Sequence, residues 1–403
     1  MQNTSQMRSE ANALFKEGNY KSALELFKKL AVSENLDQKE ATKDFSSAVS
    51  CLERLGKIDE FDAFAEEVAE KRKSSWRMLK TIADSYRKVL HDGYILEGVF
   101  YRGYNKSGGK YVSAFKRDHI RSFQLYLAAI ERIPENESAD DKFDLFMDFA
   151  GALKTFATYQ EDGSYWKFQY LTDLSKLPDY EENNYQMRWG WRMFSDFTGA
   201  PVDNDGNPIF YQIPASFETA KNDGERWRFL LETAKKASPQ QAGAVDLTFA
   251  DFLNDQFGVQ TIADSPVFQL NKDSYGYSSD DNYFSAVKLL SQLSDDETIA
   301  KLANGIRKFK LPDEFNPIKI YQKVSEGEDK FAESALSELA EIFTNRKQFS
   351  RAADCWRQSI SRFGDSNKYK EGKLKDIVGN WGAFEPSLPQ PSSQKTALPF
   401  KFR

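Results

Sequence analysis

The sequence predicts an all-α fold, a helix-hairpin superhelix with a small β-hairpin insertion near residues 199–213. Two observations carry the prediction. Small and large apolar residues recur at one spacing near both ends of the chain, and an apolar period of three to four residues runs through much of what lies between. The mean hydropathy of −0.64 agrees, because helices with one dry and one wet face keep much polar surface.

The first unit is Ala11 to Leu30. Ala11 and Leu14 precede a Gly18-Asn19 turn, and Tyr20, Ala23 and Phe27 follow at helical spacing. Two amphipathic helices joined so tightly pack antiparallel. Their closest crossing has room only for small side chains, so Ala11 is expected opposite Ala23, with Leu14, Tyr20 and Phe27 around them. Leu339 to Ile360 repeats the spacing with Ala340, Phe343, Phe349, Ala352 and Trp356, its turn placed at Asn345 and Arg346. The pattern resembles the tetratricopeptide repeat. Ser47 to Ala69 is a weaker copy with Leu52, Gly56 and Ile58 in place. Val49 and Phe61 stand there where the others have alanine, which predicts a wider crossing. Trp76, Leu79, Ala83 and Tyr86 mark one face of a further helix, and Arg121–Ile133 and Lys142–Phe156 are two more. Such units are stable because neighbours bury one another's exposed faces.

From about 160 to 215 the helical period is lost. A short helix at Tyr165–Leu177 is expected to break at Pro178, and the dense aromatic run Tyr185, Trp189, Trp191, Phe194 and Phe197 follows. Asp205-Gly206-Asn207 then lies between Val202 and the run Ile209, Phe210, Tyr211, which signals a hairpin. Helix is expected again from Ser216, with caps at Ser216 and Asp223, and over Gln240–Phe257, ended by Gly258. The organisation predicted is helical repeats over 1–160, a helical region with the aromatic stretch and hairpin over 161–262, an exposed loop over 263–282, repeat-like helices over 283–383, and a Pro/Ser linker over 384–403. The last residues, from Phe400, alternate as a strand would, as though leading into a further domain.

Composition narrows the function. A net charge of −6 and a pI of about 5.4 provide no basic stripe, so no nucleic-acid partner is expected. No apolar run reaches the ~20 residues of a membrane span, and Met1–Glu10 has no apolar signal-peptide core. The aromatic excess, 32 Phe and 18 Tyr, fits core filling between helices, with a peptide- or sugar-binding face as the sharper reading. Tyr185, Trp189, Trp191 and Phe194 are the candidate partner-binding residues. Cys51 and Cys355 read as two buried thiols rather than a bridge.

Catalytic and metal chemistry finds little support in the residues, so no enzyme activity, metal or cofactor is expected. His91 and His119 each stand without a second ligand or a nucleophile at usable spacing, and His119 after Asp118 reads as a surface or capping residue. Gly103–Lys110 lacks phosphate-loop spacing and has Tyr111 where a hydroxyl residue is required, so it reads as a flexible loop. Asp203–Gly206 lacks the calcium-loop glycine and bidentate glutamate and reads as a turn. Cys51-Leu52-Glu53-Arg54 lacks the glutamine of a thioester box. An all-helical glycan enzyme would place acids beside aromatics in a cleft; Glu181, Glu182 and Trp189 are what it would use. A carbohydrate-binding surface protein with tryptophan platforms is the other alternative.

Four stretches, Tyr170–Tyr180, Gly199–Phe229, Asp251–Thr261 and Arg351–Pro391, resemble the amino-terminal helical region of large alpha-2-macroglobulin-like proteins of planctomycetes. The resemblance covers essentially the whole chain. It implies a helical module that precedes macroglobulin β-domains in an exported inhibitor of endopeptidases, hence a periplasmic or cell-envelope location. The family's bait segment and thioester lie in those β-domains, and none of its reactive motifs matches a position here. The function expected is therefore a non-catalytic scaffold for a protein partner, either a peptide or a neighbouring domain.

Overall fold

The structure is a computed structural model that describes residues 4–33, 37–104, 108–158, 165–182, 199–263, 288–379, 382–384 and 400–402. The chain forms two compact units. One comprises 1–197 with 211–239, and the other 198–210 with 240–403. The described residues are mostly helical, with small antiparallel sheets.

In the first unit α1 (Thr4–Lys16) and α2 (Tyr20–Val32) form the expected hairpin, with Ala11 and Ala23 fully buried and Phe27 beside them. Its turn recurs. Gly18 and Asn19 donate their N–H groups to the carbonyls of Phe15 and Leu14, and Gly18 sits at φ +83. This closure satisfies the orphan carbonyls at the end of α1. Gly56 and Lys57 make the same two bonds to Glu53 and Leu52 at the end of α3 (Gln38–Arg54), and Lys347 and Gln348 make them to Thr344 and Phe343 in the second unit. The left-handed residue is glycine twice, Gly56 at φ +65, and Lys347 at φ +58. A Cβ on Gly56 would meet nothing within 4 Å, so only backbone strain opposes one there. Gly56→Ala is expected to lower stability by about 1 kcal/mol in urea unfolding, and no change would deny that this turn is strained for other residues.

Val49, expected at the crossing of the second hairpin, instead lines the side of α3 that faces Thr81 and Ser85. α3 lies along α2 and α5 (Trp76–Lys88), while α4 (Phe61–Lys71) is reached through a 3₁₀ turn at Ile58–Glu60. Phe45 and Phe64 stack at 5.3 Å to fill the space between α3 and α4. Arg8 of α1 holds Asp44 of α3 through Nε and Nη2 at 2.9 and 2.7 Å. Alternate helices α1, α3 and α5 thus make one layer, with α2 and α4 in the other.

A sheet follows α5 where the sequence suggests none. Strands β1 (Asp92–Leu96), β2 (Val99–Arg102), β3 (Lys110–Ser113) and β4 (Glu181–Glu182) are antiparallel in the order β2-β1-β3-β4. Glu97 and Gly98, at φ +52 and +80, form the two-residue turn whose twist suits a hairpin. Gly93 is required in β1, because a Cβ there would lie 2.3 Å from the Tyr101 carbonyl oxygen. Helices α6 (Phe115–Ile130) and α7 (Ala139–Thr158) correspond to the two expected helices.

Two expectations change in this unit. Tyr165–Leu177 holds only a 3₁₀ turn at Trp166–Gln169 and then continues without regular secondary structure. The cause is capture by α8 (Asp223–Ala237): Asp223 donates its N–H to the Tyr170 carbonyl, and its carboxylate accepts from the N–H and hydroxyl of Thr172. Helix also resumes later than Ser216. Ser216 and Thr219 bond each other in an isolated turn, and the cap of α8 is Asn222, whose side chain accepts from Glu225 N–H at 2.9 Å.

In the second unit α9 (Ala242–Phe257) ends at Gly258 as expected. The 199–213 insertion is reduced to a single antiparallel bridge, Val202 to Pro208. Asp203 Oδ1 accepts the N–H groups of Asp205 and Asn207, closing the loop by side chain, and Pro208 has no N–H to extend a ladder. Ala200 instead bridges in parallel to Leu302 of β5 (Glu297–Leu302), which pairs with β6 (Gly305–Lys310) in a hairpin the sequence does not signal. Helices α10 (Pro317–Ser325), α11 (Lys330–Asn345), α12 (Phe349–Phe363) and α13 (Tyr369–Val378) follow, with Ala340, Phe343, Ala352 and Trp356 in the core between them. The α11–α12 turn is strained at Lys347 rather than carried by Asn345 and Arg346. Arg346 is buried and donates to the carbonyls of Ser294 and Glu297. Strand β8 (Phe400–Phe402) forms where alternation suggests it and pairs back on β7 (Gly382–Phe384).

Candidate functional site

Tyr185, Trp189, Trp191 and Phe194 lie outside the described residues, as does nearly all of the loop expected over 263–282. The acids before the aromatic run are described. Glu181 and Glu182 are adjacent on β4, so their side chains take opposite faces of the strand. Glu181 pairs with Lys116 at 2.5 Å, and Glu182 with Lys110. They do not confront each other across a cleft, as a glycosidase pair must.

The repeat layers create a first concavity, a groove of about 290 Å³ between α3 and α5. Ser46, Val49, Ser50 and Glu53 line it from α3, and Thr81, Asp84, Ser85 and Lys88 from α5. Each set follows the i, i+3, i+4, i+7 spacing of one helix face. The hydroxyls of Ser46, Thr81 and Ser85 donate to carbonyls one turn back in their own helices. Their oxygen lone pairs stay open, and their small size leaves the space between the two helices unfilled. Glu53 and Lys88 are exposed and form no ion pair among the described residues. The groove therefore offers small polar contacts with one free charge of each sign, which suits an extended polypeptide better than an apolar helix.

A second cleft, of about 520 Å³, is bounded by α4, β2, α6 and the irregular segment ending at Tyr180. A buried ion network lies in its wall. Arg102, with a side chain 1% exposed, donates to both oxygens of Asp118 at 2.7 and 2.9 Å and to Asp62 at 2.6 and 3.1 Å. Burial favours loss of the guanidinium proton, but the hydrogen bonds and field of Asp118 and Asp62 outweigh it and raise the pKa. Glu66 accepts from Arg121 and from the Tyr86 hydroxyl at 2.8 Å, and burial with that carboxylate raises the Tyr86 pKa.

The histidines, read as isolated in sequence, meet here. His91 Nδ1 lies 2.7 Å from Asp118 Oδ2, and the rings of His91 and His119 are 5.4 Å apart. His119 is neither a cap nor a surface residue. It is 1% exposed, packed on Phe115 and Phe156, with Nδ1 2.9 Å from the Phe115 carbonyl oxygen. Its Nε2 is buried without a hydrogen-bond partner, and burial lowers its pKa to about 4. A neutral imidazole donating from Nδ1 is the form that fits. Long-range pairing across the sheet joins these residues, so no spacing in the sequence could announce them.

Among the described residues no group of three or more His, Cys, Asp or Glu side chains is arranged to hold a metal ion. No described helix is long and apolar enough to cross a membrane. Cys51 and Cys355 are both free and buried, and burial pushes each thiol up to about 11, far from a reactive thiolate. Gly103–Lys110 joins β2 to β3, with residues 105–107 outside the described set.

No family model and no curated protein matches the chain. Among solved structures it is similar to the C-terminal part of a TPR repeat-containing protein from Cytophaga hutchinsonii, at 12% identity over 91% of this chain and 99% of that one, with a TM-score of 0.26. A likeness that slight adds no argument, and the helix-hairpin description rests on the recurring turn and the buried alanine crossings.

Proposed function

We propose that the chain is a non-catalytic helical scaffold that holds an extended segment of a protein partner in the groove between α3 and α5. The observation that carries this reading is the pair of matching stripes, 46/49/50/53 and 81/84/85/88, on neighbouring helices of one layer, polar at every position but Val49, with Glu53 and Lys88 in no ion pair among the described residues. Core-facing stripes would be apolar, and a merely solvated surface would not be concave. Selection of a random dodecapeptide library on the intact chain tests it. Enrichment is expected on the wild type, with affinity lowered roughly tenfold or more by Ser46→Trp, which fills the groove from an exposed position, and by Lys88→Glu. Enrichment unchanged by both substitutions would place the partner elsewhere.

In its finer form the reading makes this the leading helical module of an alpha-2-macroglobulin-like envelope protein, the groove serving a neighbouring domain or a peptide. The four resembling stretches named above support it. The test is whether the coding sequence continues past Arg403 into β-rich domains.

A further inference from the structure

The second cleft is separate from the α3/α5 groove, and its contents argue for a ligand of a different character. Three of its features stand together. Arg117 and Arg121 are four residues apart on α6, hence on one face of that helix. Arg121 is committed to Glu66 through Nε and Nη2. Arg117 donates one bond, Nη1 to the Pro178 carbonyl at 3.0 Å, and lies 5.0 Å over the Tyr180 ring, with no carboxylate partner among the described residues. It is the cleft's available cation, because the third arginine, Arg102, is already matched by two aspartates.

The second feature is the outer edge of β2. Gly103 N–H donates to the Asp92 carbonyl, which makes 92/103 a hydrogen-bonded pair, and by alternation 94/101 and 96/99 as well. The N–H and C=O of Phe100 consequently point away from β1. β2 is the outermost strand of its sheet, and Gly98, Val99 and Phe100 line the cleft. Val99–Tyr101 carries no lysine, proline or bulge, the devices that normally discourage pairing at an edge. The outer strand β6 of the second unit differs in this respect, with Arg307, Lys308 and Lys310 along it. The third feature is apolar exposure beside that edge: Leu96 and Val99 at the hairpin tip are 36% and 53% exposed.

We infer that the cleft is a second interaction site, which accepts an extended acidic peptide as an added strand on β2, one carboxylate of that peptide pairing with Arg117. A backbone edge supplies sequence-independent hydrogen bonds, and Arg117 supplies the selection for acid through a charge-assisted contact. The Tyr180 ring, itself stacked on Phe100 at 4.5 Å, holds the guanidinium in place beforehand, so little side-chain freedom is lost on binding. Leu96 and Val99 receive the apolar residues that alternate with the acids.

The experiment is fluorescence anisotropy on the full chain with a labelled decapeptide of alternating valine and glutamate. Saturable binding is expected. It falls at least about tenfold when the glutamates become glutamines, when alternate peptide nitrogens are methylated, and in Arg117→Gln, while Arg117→Lys retains most of it. Ser46→Trp leaves it unchanged, so loss of the α3/α5 reading and loss of this one are separable. Circular dichroism of each variant confirms that it is folded. Absence of saturable binding overturns the inference. So does binding indifferent to Arg117→Gln, or equal affinity for the methylated peptide. Competition by free glutarate as effective as by peptide would make the site one for small carboxylates and would equally overturn it.

Discussion

Replacing Arg102 with methionine is expected to cost about 3–5 kcal/mol of stability, the largest effect of any single polar substitution proposed for this chain. Asp118 is the reason. Its side chain is 4% exposed, and in the native protein its charge is met by both terminal nitrogens of Arg102 and by His91. Methionine fills most of the arginine volume but leaves that carboxylate buried with the imidazole alone, and it also orphans the Leu90 carbonyl, which accepts from Arg102 at 2.7 Å. The penalty belongs to the uncompensated charge and not to lost attraction. The double variant Arg102→Met/Asp118→Leu should therefore recover most of the loss, since an apolar pair of similar volume often matches a buried ion pair. Urea unfolding of the three variants decides the matter. A loss below about 1 kcal/mol in the single variant would mean that water reaches Asp118 and that the network is not a buried one.

Acid should unfold this protein partly through His119. Burial lowers its pKa to about 4 from the ordinary 6.5, aided by the neighbouring His91 and Arg87 and opposed by the Phe115 carbonyl and Asp118. The folded value lies below the unfolded one, so as pH falls the unfolded chain takes up the proton first. Stability from this residue is fully present above pH 6.5 and is lost as pH falls toward 4. The shift corresponds to about 3 kcal/mol across that window. In His119→Phe the difference in stability between pH 7.5 and pH 4.5 should shrink by about 2.5 kcal/mol relative to wild type, whatever the substitution does to absolute stability. Equal pH slopes would show that His119 is protonated in the folded state.

The sequence made the hairpins legible because their constraint is local. Ala11 and Ala23, or Ala340 and Ala352, lie twelve residues apart, and one tight turn fixes both the crossing and the side chains around it. Gly18 and Gly56 also announced their turns, since no other residue takes φ near +83 or +65 so readily. Lys347 does not, because a lysine carries no signal of a left-handed turn. The sheet in the first unit has no such local signal. Its strands are short, their hairpin turns on Glu97-Gly98 and not on Asn-Gly, and the fourth strand comes from Glu181, far along the chain. Tyr165–Leu177 has no helix beyond its short 3₁₀ turn, although a helix is expected there. Capture by Asp223 decides its conformation, a tertiary effect that no local pattern carries.

The sites divide the same way. The groove stripes on α3 and α5 could have been found as small polar residues at helical spacing on alternate helices, once the layers were assigned. The Arg102–Asp118–His91 network and the aromatic box of His119 could not, because they join α4, α6 and the sheet. Trp189 and its aromatic neighbours, the binding residues that the sequence suggests, lie outside the described residues.

Hydrogen–deuterium exchange of the full chain with a peptide taken from the library selection tests the scaffold reading most directly. Slowed exchange is predicted across the facing turns of α3 and α5, residues 46–53 and 81–88, while α11 and α12 are unaffected. Protection confined to other segments, or none at saturating peptide, would contradict it.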